Sequence, residues 1–241
     1  MSGIIANQIV TDSLVLYVDA ANNRCYTGSG TSLKELTNTG SGTLIAGTGY
    51  SSSNLGAWTF DGTDDYIDLG TRLPSLGLTY PMSIDVWTNP TSVAGTGGRG
   101  IFSGANNPTN TVYAGFGIIL ALPDYYIQAQ IGDGSSNGSL NRRTLTSSTA
   151  LTTGAWNHIV VTASSGPVFE IYLNGTLLSG TTSGTGGPLS WGVNATAQLG
   201  STPGYSDKFT GSIASAKFYS KKLSASEVLQ NYEASKKRFG L

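Results

Sequence analysis

The chain has 241 residues, a formal net charge of −1, a charged fraction of 11% and one cysteine, Cys25. A lone cysteine excludes an intrachain disulfide framework, and 13 basic residues against 14 acidic ones exclude the basic excess of a nucleic-acid-binding domain. The 33 glycines favour strands and loops over helices, and all-β sandwiches commonly run to roughly 200–250 residues as one domain.

The opening MSGIIANQIV has no basic leader, and Asn7 and Gln8 interrupt its apolar residues, so it does not read as a signal peptide. Residues 1–12 form either an anchoring arm, with Ile4, Ile5, Ile9 and Val10, or a first sandwich strand. Leu14 to Asp19 is the first alternating segment. In WTFDGTDDYIDLG, Trp58 to Gly70, a strand ends at Phe60, Asp61-Gly62 reverses the chain, and Tyr66, Ile67 and Leu69 open a second strand. Asp61, Asp64, Asp65 and Asp68 crowd this turn. Strand alternation sends Asp64 and Asp68 to one side and Asp65 to the other. Asp64 and Asp65 are the candidate calcium ligands, since hard cations take carboxylate oxygens.

Met82 to Trp87 is the next strand. Gly95 to Gly100 matches G-x-G-x-x-G, but it precedes the strand Ile101-Phe102 instead of joining a strand to a helix, so it reads as a loop. Ala114 to Leu122 is the longest apolar run and falls far short of the roughly 20 residues that span a bilayer, so no membrane insertion is expected. Strands follow at Tyr125 to Ile131, Ile159 to Ala163 and Val168 to Leu173. After the last, Asn174-Gly175 has the two positive-φ positions of a type I′ hairpin, and Ser179 to Gly187 reads as a long loop. Near the end, Ser224 and Glu227 form a capping box, Ala225, Val228, Leu229 and Tyr232 form one apolar stripe, and Gly240 ends the helix. Residues 208–241 hold seven basic and two acidic groups, a basic face that is either a solvated helix surface or a docking site for an acidic partner.

The order of LVLYVDAAN, FDGTDDYIDLG, MSIDVW, AWNHIVVT, EIYLNG and FTGSIASAKFYSKKLSASEVLQNYEA resembles the laminin-G-like branch of the concanavalin A-like lectin/glucanase superfamily. The ending NYEASKKRFGL resembles the tail of such domains in virion structural proteins of tailed bacteriophages. The resemblance implies a jelly roll with ligand sites in rim loops or on the concave face, in relatives that bind glycans, bind proteins or hydrolyse polysaccharides. Fold alone does not choose among these.

Glycoside hydrolysis needs two carboxylates facing the scissile bond. The glucanases' E-x-D-x-E pattern is absent, because none of Glu35, Glu170, Glu227 and Glu233 has an acidic residue two positions away. Asp85 and Glu170 could meet across a sheet, but as solvent-facing strand carboxylates they read as surface groups. His158 lies on a strand and Cys25 in a loop without histidine nearby, so both read as structural. No catalytic residue is assigned. For sugar stacking the candidates are Tyr125 and Tyr126, one of which must point away from the core, and Tyr205 in a polar loop.

The expectation is an all-β jelly-roll β-sandwich of two antiparallel sheets with one short C-terminal α-helix, residues 1–241 forming one domain. It is expected to act as a non-enzymatic virion structural protein, capsid decoration or tail/fibre-associated, with a glycan- or host-surface-adhesion role, assembled in the host cytoplasm and displayed on the virion surface. Its expected partners are other virion proteins, a cell-surface glycan and further copies of itself, with no nucleic acid and no cofactor beyond calcium. The alternatives are a polysaccharide hydrolase of the same fold and a bacterial lectin module.

Overall fold

The computed structural model describes residues 8–37, 40–75, 79–105, 114–135, 142–166, 168–192, 195–202 and 208–241. In chain order come β1 (Leu14–Asp19), β2 (Ser32–Lys34), β3 (Ser41–Ile45), β4 (Gly49–Ser51), β5 (Ala57–Asp61), β6 (Tyr66–Asp68) and the single-turn helix α1 (Arg72–Ser75). They are followed by β7 (Met82–Pro90), β8 (Gly97–Ala105), β9 (Ala114–Leu122), β10 (Tyr126–Asp133), β11 (Arg142–Ala150) and β12 (Asn157–Ser164). The chain closes with β13 (Val168–Leu173), β14 (Thr176–Leu178), β15 (Gly180–Ser183), β16 (Thr196–Leu199), β17 (Thr210–Tyr219) and the helix α2 (Ala225–Ser235).

Two antiparallel sheets make the expected sandwich. One runs β14-β13-β12-β7-β17-β5-β4, with β1 beside β5 along the same edge of β17; the other runs β15-β11-β10-β9-β8-β16-β6-β3-β2. Alternate residues of each strand meet in one core: Ile84 and Val86 of β7 and Ile159 and Val161 of β12 face Phe116, Ile118 and Leu120 of β9 and Ile127, Ala129 and Ile131 of β10. A third layer covers the eight-stranded sheet. There α2 and residues 8–12 bury Val10, Val160, Tyr172, Tyr219, Leu223 and Val228, while Trp87 stacks on Phe239 with ring centroids 4.2 Å apart.

Several local expectations hold. Asn174 (φ 51°) and Gly175 (φ 81°) make the β13–β14 turn, both halves of the Ser224–Glu227 capping box form, and Gly240 (φ 75°) ends the chain's final helical turn. Others are corrected. Asp61-Gly62 does not close a hairpin: β5 and β6 lie in different sheets, and the turn carries the chain across the sandwich. The glycine-rich stretches at 95–100 and 179–187 are partly strand, β8 beginning at Gly97 and β15 running Gly180–Ser183, because the backbone ladder needs no side-chain alternation.

The helix stripe is also turned from its expected position. Val228 and Asn231 are buried whereas Leu229 is half exposed, so a polar residue occupies the buried face. Of the segment expected as an arm or a first strand, Ile4 and Ile5 lie outside the described residues, and the described part is residues 8–12. They form no strand and lie on α2, where the Val10 N–H donates to Asn231 Oδ1 and the Gln230 side-chain amide donates to the Gln8 carbonyl. The basic face is largely neutralised within the molecule, by Lys217–Asp85, Lys221–Asp12, Lys221–Glu227, Lys222–Glu170, Lys236–Glu233 and Arg238–Asp19 pairs.

Candidate functional site

Among the described residues no helix is placed over the outer face of the nine-stranded sheet, and the residues of that face follow from strand alternation. The register lines up Gln198, Ser103, Gly117, Gln130 and Thr144 on five successive strands, all polar or glycine. One row along stand Gly100, Ile119, Gln128 and Thr146, and beyond them Gly98, Ala121 and Tyr126.

A cleft of about 330 Å³ opens here. Gly97 and Gly98 of β8 lower its floor beside Ile119, Ala121 and Leu122 of β9; Gln128 and Gln130 of β10 and Arg142 of β11 supply polar groups, and Thr202 closes one side. It spans four neighbouring strands, about 14 Å at the usual sheet spacing. The amides are held in a ladder in which Gln130 Nε2 donates to Gln128 Oε1 at 2.9 Å and Gln128 Nε2 donates to Thr146 Oγ1 at 3.3 Å.

The wall is fixed by close backbone approach. Ser103 Oγ donates to the Ser201 carbonyl at 2.9 Å, and a Cβ on Gly100 would stand 2.6 Å from the Ser201 carbonyl carbon, so only glycine admits this strap.

Of the predicted stacking residues, Tyr126 lies on this face, paired with Ala121 at one end of the cleft. Tyr125 sits in the turn ahead of β10 with φ 61°, and its hydroxyl both donates to the Val93 carbonyl and accepts the Val93 N–H, so it braces a loop. Tyr205 lies outside the described residues. The cleft amides were open to sequence reasoning, because Gln128 and Gln130 alternate with the core residues Ile127, Ala129 and Ile131; Arg142 and Thr202 carry no such signal.

The candidate calcium ligands gather differently from expectation. The chain turns between the sheets here, alternation lapses, and carboxylate oxygens of Asp61, Asp64 and Asp65 lie within 4.8 Å of one another. Asp68 is apart from them, its Oδ1 accepting the Gly70 N–H. Asp65 is buried and accepts the Asp61 N–H at 3.0 Å. Burial, with the nearby Asp61 and Asp64 charges, pushes its carboxyl above the ordinary range. Three hard oxygen donors this close together suit a calcium ion in type.

The other conspicuous chemistry is enclosed. Asp85 is fully buried beneath α2, which corrects its reading as a surface group: Oδ1 lies 2.8 Å from Lys217 Nζ, and Oδ2 lies 3.1 Å from His158 Nε2 and 2.8 Å from Asn231 Nδ2. Burial alone would raise this carboxyl, but Lys217 and His158 outweigh it and hold it well below the usual carboxylate range. Glu170 shares that outer sheet face, bonded to Lys222, Tyr172 and Thr162. Cys25 is buried, and its thiol is pushed up to about 11 by burial, away from reactive thiolate character.

Comparison with solved structures finds the same fold in other proteins. The chain is similar to domain 4 of AbnA, a GH43 extracellular arabinanase from Geobacillus stearothermophilus solved in complex with arabinotriose, at 19% identity and TM-score 0.66 over 91% of this chain and 98% of that one. It is similar to Trypanosoma rangeli sialidase at 11% identity and TM-score 0.68, covering 95% of this chain but 34% of the sialidase. It is likewise similar to botulinum neurotoxin type C, from work on that toxin's interaction with two ganglioside molecules, at 12% identity and TM-score 0.66, covering 92% of this chain and 51% of the toxin chain. At these identities the likeness bears on fold alone, and no curated protein matches the sequence. The family model described as the concanavalin A-like lectin/glucanases superfamily matches residues 61–229. With that match and the two-sheet sandwich together, the chain belongs to the concanavalin A-like lectin/glucanases superfamily.

Proposed function

We propose that the chain is a non-enzymatic carbohydrate-binding domain whose ligand lies in the cleft on the outer face of the nine-stranded sheet. The observation that carries this is the cleft's chemistry: amides, a hydroxyl, a guanidinium and a glycine floor, with Tyr126 at one end and no carboxylate among the described lining residues. Amides and hydroxyls both donate and accept, as sugar hydroxyls require, and a tyrosine ring covers the apolar face of a pyranose or furanose. An acid–base pair for hydrolysis needs carboxylates roughly 5–9.5 Å apart, and the described lining residues supply none. Carbohydrate recognition is further supported by the likeness to a complete domain solved with arabinotriose and to a toxin studied with gangliosides.

For the setting we propose a virion surface, with other virion proteins as neighbours; the support is the resemblance of NYEASKKRFGL to phage virion proteins. Mass spectrometry of purified particles tests that setting, and absence of the chain from particles overturns it.

A glycan array tests the function. The wild type is expected to bind one sugar class, the Gln128→Ala and Tyr126→Ala variants are expected to lose most of that signal, and incubation is expected to release no new reducing ends. New reducing ends, or binding untouched by both substitutions, overturn the reading.

A further inference from the structure

Beneath α2 a single carboxylate holds an amine and an amide at once. Asp85 Oδ1 lies 2.8 Å from Lys217 Nζ, and Asp85 Oδ2 lies 2.8 Å from Asn231 Nδ2. All three residues are enclosed, Asp85 and Asn231 being 0% and Lys217 2% exposed. Strand register brings them together: Lys217 of β17 stands directly opposite Asp85 of β7, and Tyr219 follows two residues on, on the same face. The Asn231 Nδ2 donates to both of these flanking groups, to Asp85 and, at 3.0 Å, to the Tyr219 hydroxyl, so the amide lies over the part of the sheet where Lys217 stands. Its oxygen, Oδ1, accepts the Val10 N–H at 2.7 Å.

Independently of glycan binding, we infer that Lys217 and Asn231 join in an amide cross-link between β17 and α2, formed by the protein itself with Asp85 as the catalytic acid–base. The Asp85 carboxylate takes a proton from the Lys217 ammonium, and the freed amine nitrogen adds to Asn231 Cγ. Negative charge that develops on Oδ1 meets the Val10 N–H already bonded there. Asp85, also in contact with Nδ2, returns its proton to that nitrogen, and the Cγ–Nδ2 bond breaks. The amine nitrogen's second proton leaves with the ammonia as ammonium. One carbon–nitrogen bond forms, one breaks, and no oxidant, metal or cofactor enters. Enclosure keeps bulk water from competing with the amine for Cγ, and a shared carboxylate fixes both reactants before the reaction starts. The link would tie the helix to the sheet that it covers.

Intact-mass spectrometry of the full chain tests this, on fresh protein and on protein kept at mildly alkaline pH. The wild type is expected to weigh about 17 Da less than its sequence, the mass of one ammonia, and a digest is expected to contain one peptide pair joined through Lys217 and Asn231. Lys217→Arg keeps a cation against Asp85 but has no amine to form the bond, so it is expected to retain the full sequence mass. Asp85→Asn, held at a temperature where circular dichroism shows it folded, is expected to form the link about a hundredfold more slowly. Full sequence mass in the wild type under both conditions overturns the inference. So does a loss of ammonia that persists in Lys217→Arg, which would come from elsewhere, such as ring closure at Asn174-Gly175. An unchanged rate in Asp85→Asn overturns the role given to Asp85.

Discussion

Asp85 shows how burial decides what a side chain can do. In a strand read by alternation alone it belongs on the solvent side, and it does point away from the core; what the alternation cannot show is that α2 lies over that side. The carboxylate is compensated by Lys217, His158 and Asn231, and removing one member of such a buried set leaves the rest uncompensated. Asp85→Asn is expected to destabilise the fold by about 3–5 kcal/mol in denaturant unfolding. Because the folded carboxyl titrates below its unfolded value, its stabilising contribution is complete above about pH 4 and is lost as pH falls from there toward the folded value. The wild type should therefore lose stability on acidification below about pH 4, and Asp85→Asn should show a shallower loss over that window. Asp65 has the opposite sign: its carboxyl is raised, so its ionised form opposes folding at neutral pH. Asp65→Asn is expected to keep or raise the melting temperature at pH 7, since an amide oxygen can still accept the Asp61 N–H. Calcium that relieved the same repulsion would raise the wild-type melting temperature, and a chelator would reverse it; an unchanged temperature in both eliminates the metal site.

Among elements, legibility depended on whether side chains or backbone made the structure. The β13–β14 hairpin was readable because Asn174-Gly175 is its turn chemistry, and α2 was readable from Ser224 and Glu227. Gly175→Ala is expected to cost about 1–3 kcal/mol, from the left-handed conformation and from a Cβ that would sit 3.1 Å from Leu229 Cδ1 on α2; thermal unfolding measures it. By contrast β8 and β15 are built from glycine, serine and threonine, with too little apolar alternation to mark them, and their pairing is a long-range backbone property. The role of Asn231 escaped for a related reason. A count of apolar residues along a helix passes over a polar one whose three hydrogen bonds, to Val10, Asp85 and Tyr219, form only after distant segments meet. At β9, Gly117→Val is expected to leave stability within about 1 kcal/mol, since a β-branched residue suits a strand, while crowding its ladder partner Gln130 at the cleft and weakening glycan binding.

At the scale of the molecule, the two sheets have different outer surfaces. The eight-stranded sheet is covered by α2 and residues 8–12, and Asp85, His158, Lys217 and Glu170 on that face are enclosed or paired. The nine-stranded sheet keeps an amide- and glycine-rich face with an open cleft. The sandwich itself was legible from strand and turn signals, whereas the cleft was not, because it joins β8, β9, β10 and β11 with a strap at Thr202 that no local pattern announces. This asymmetry is the physical basis for placing ligand binding on one face. Hydrogen exchange with mass spectrometry, comparing the free chain with the chain saturated by an array-positive glycan, tests it most directly. Protection confined to peptides from β8 through β11 and the Ser201–Thr202 strap is the result predicted; protection at the Asp61–Asp65 turn or over α2, with the cleft unchanged, would contradict it.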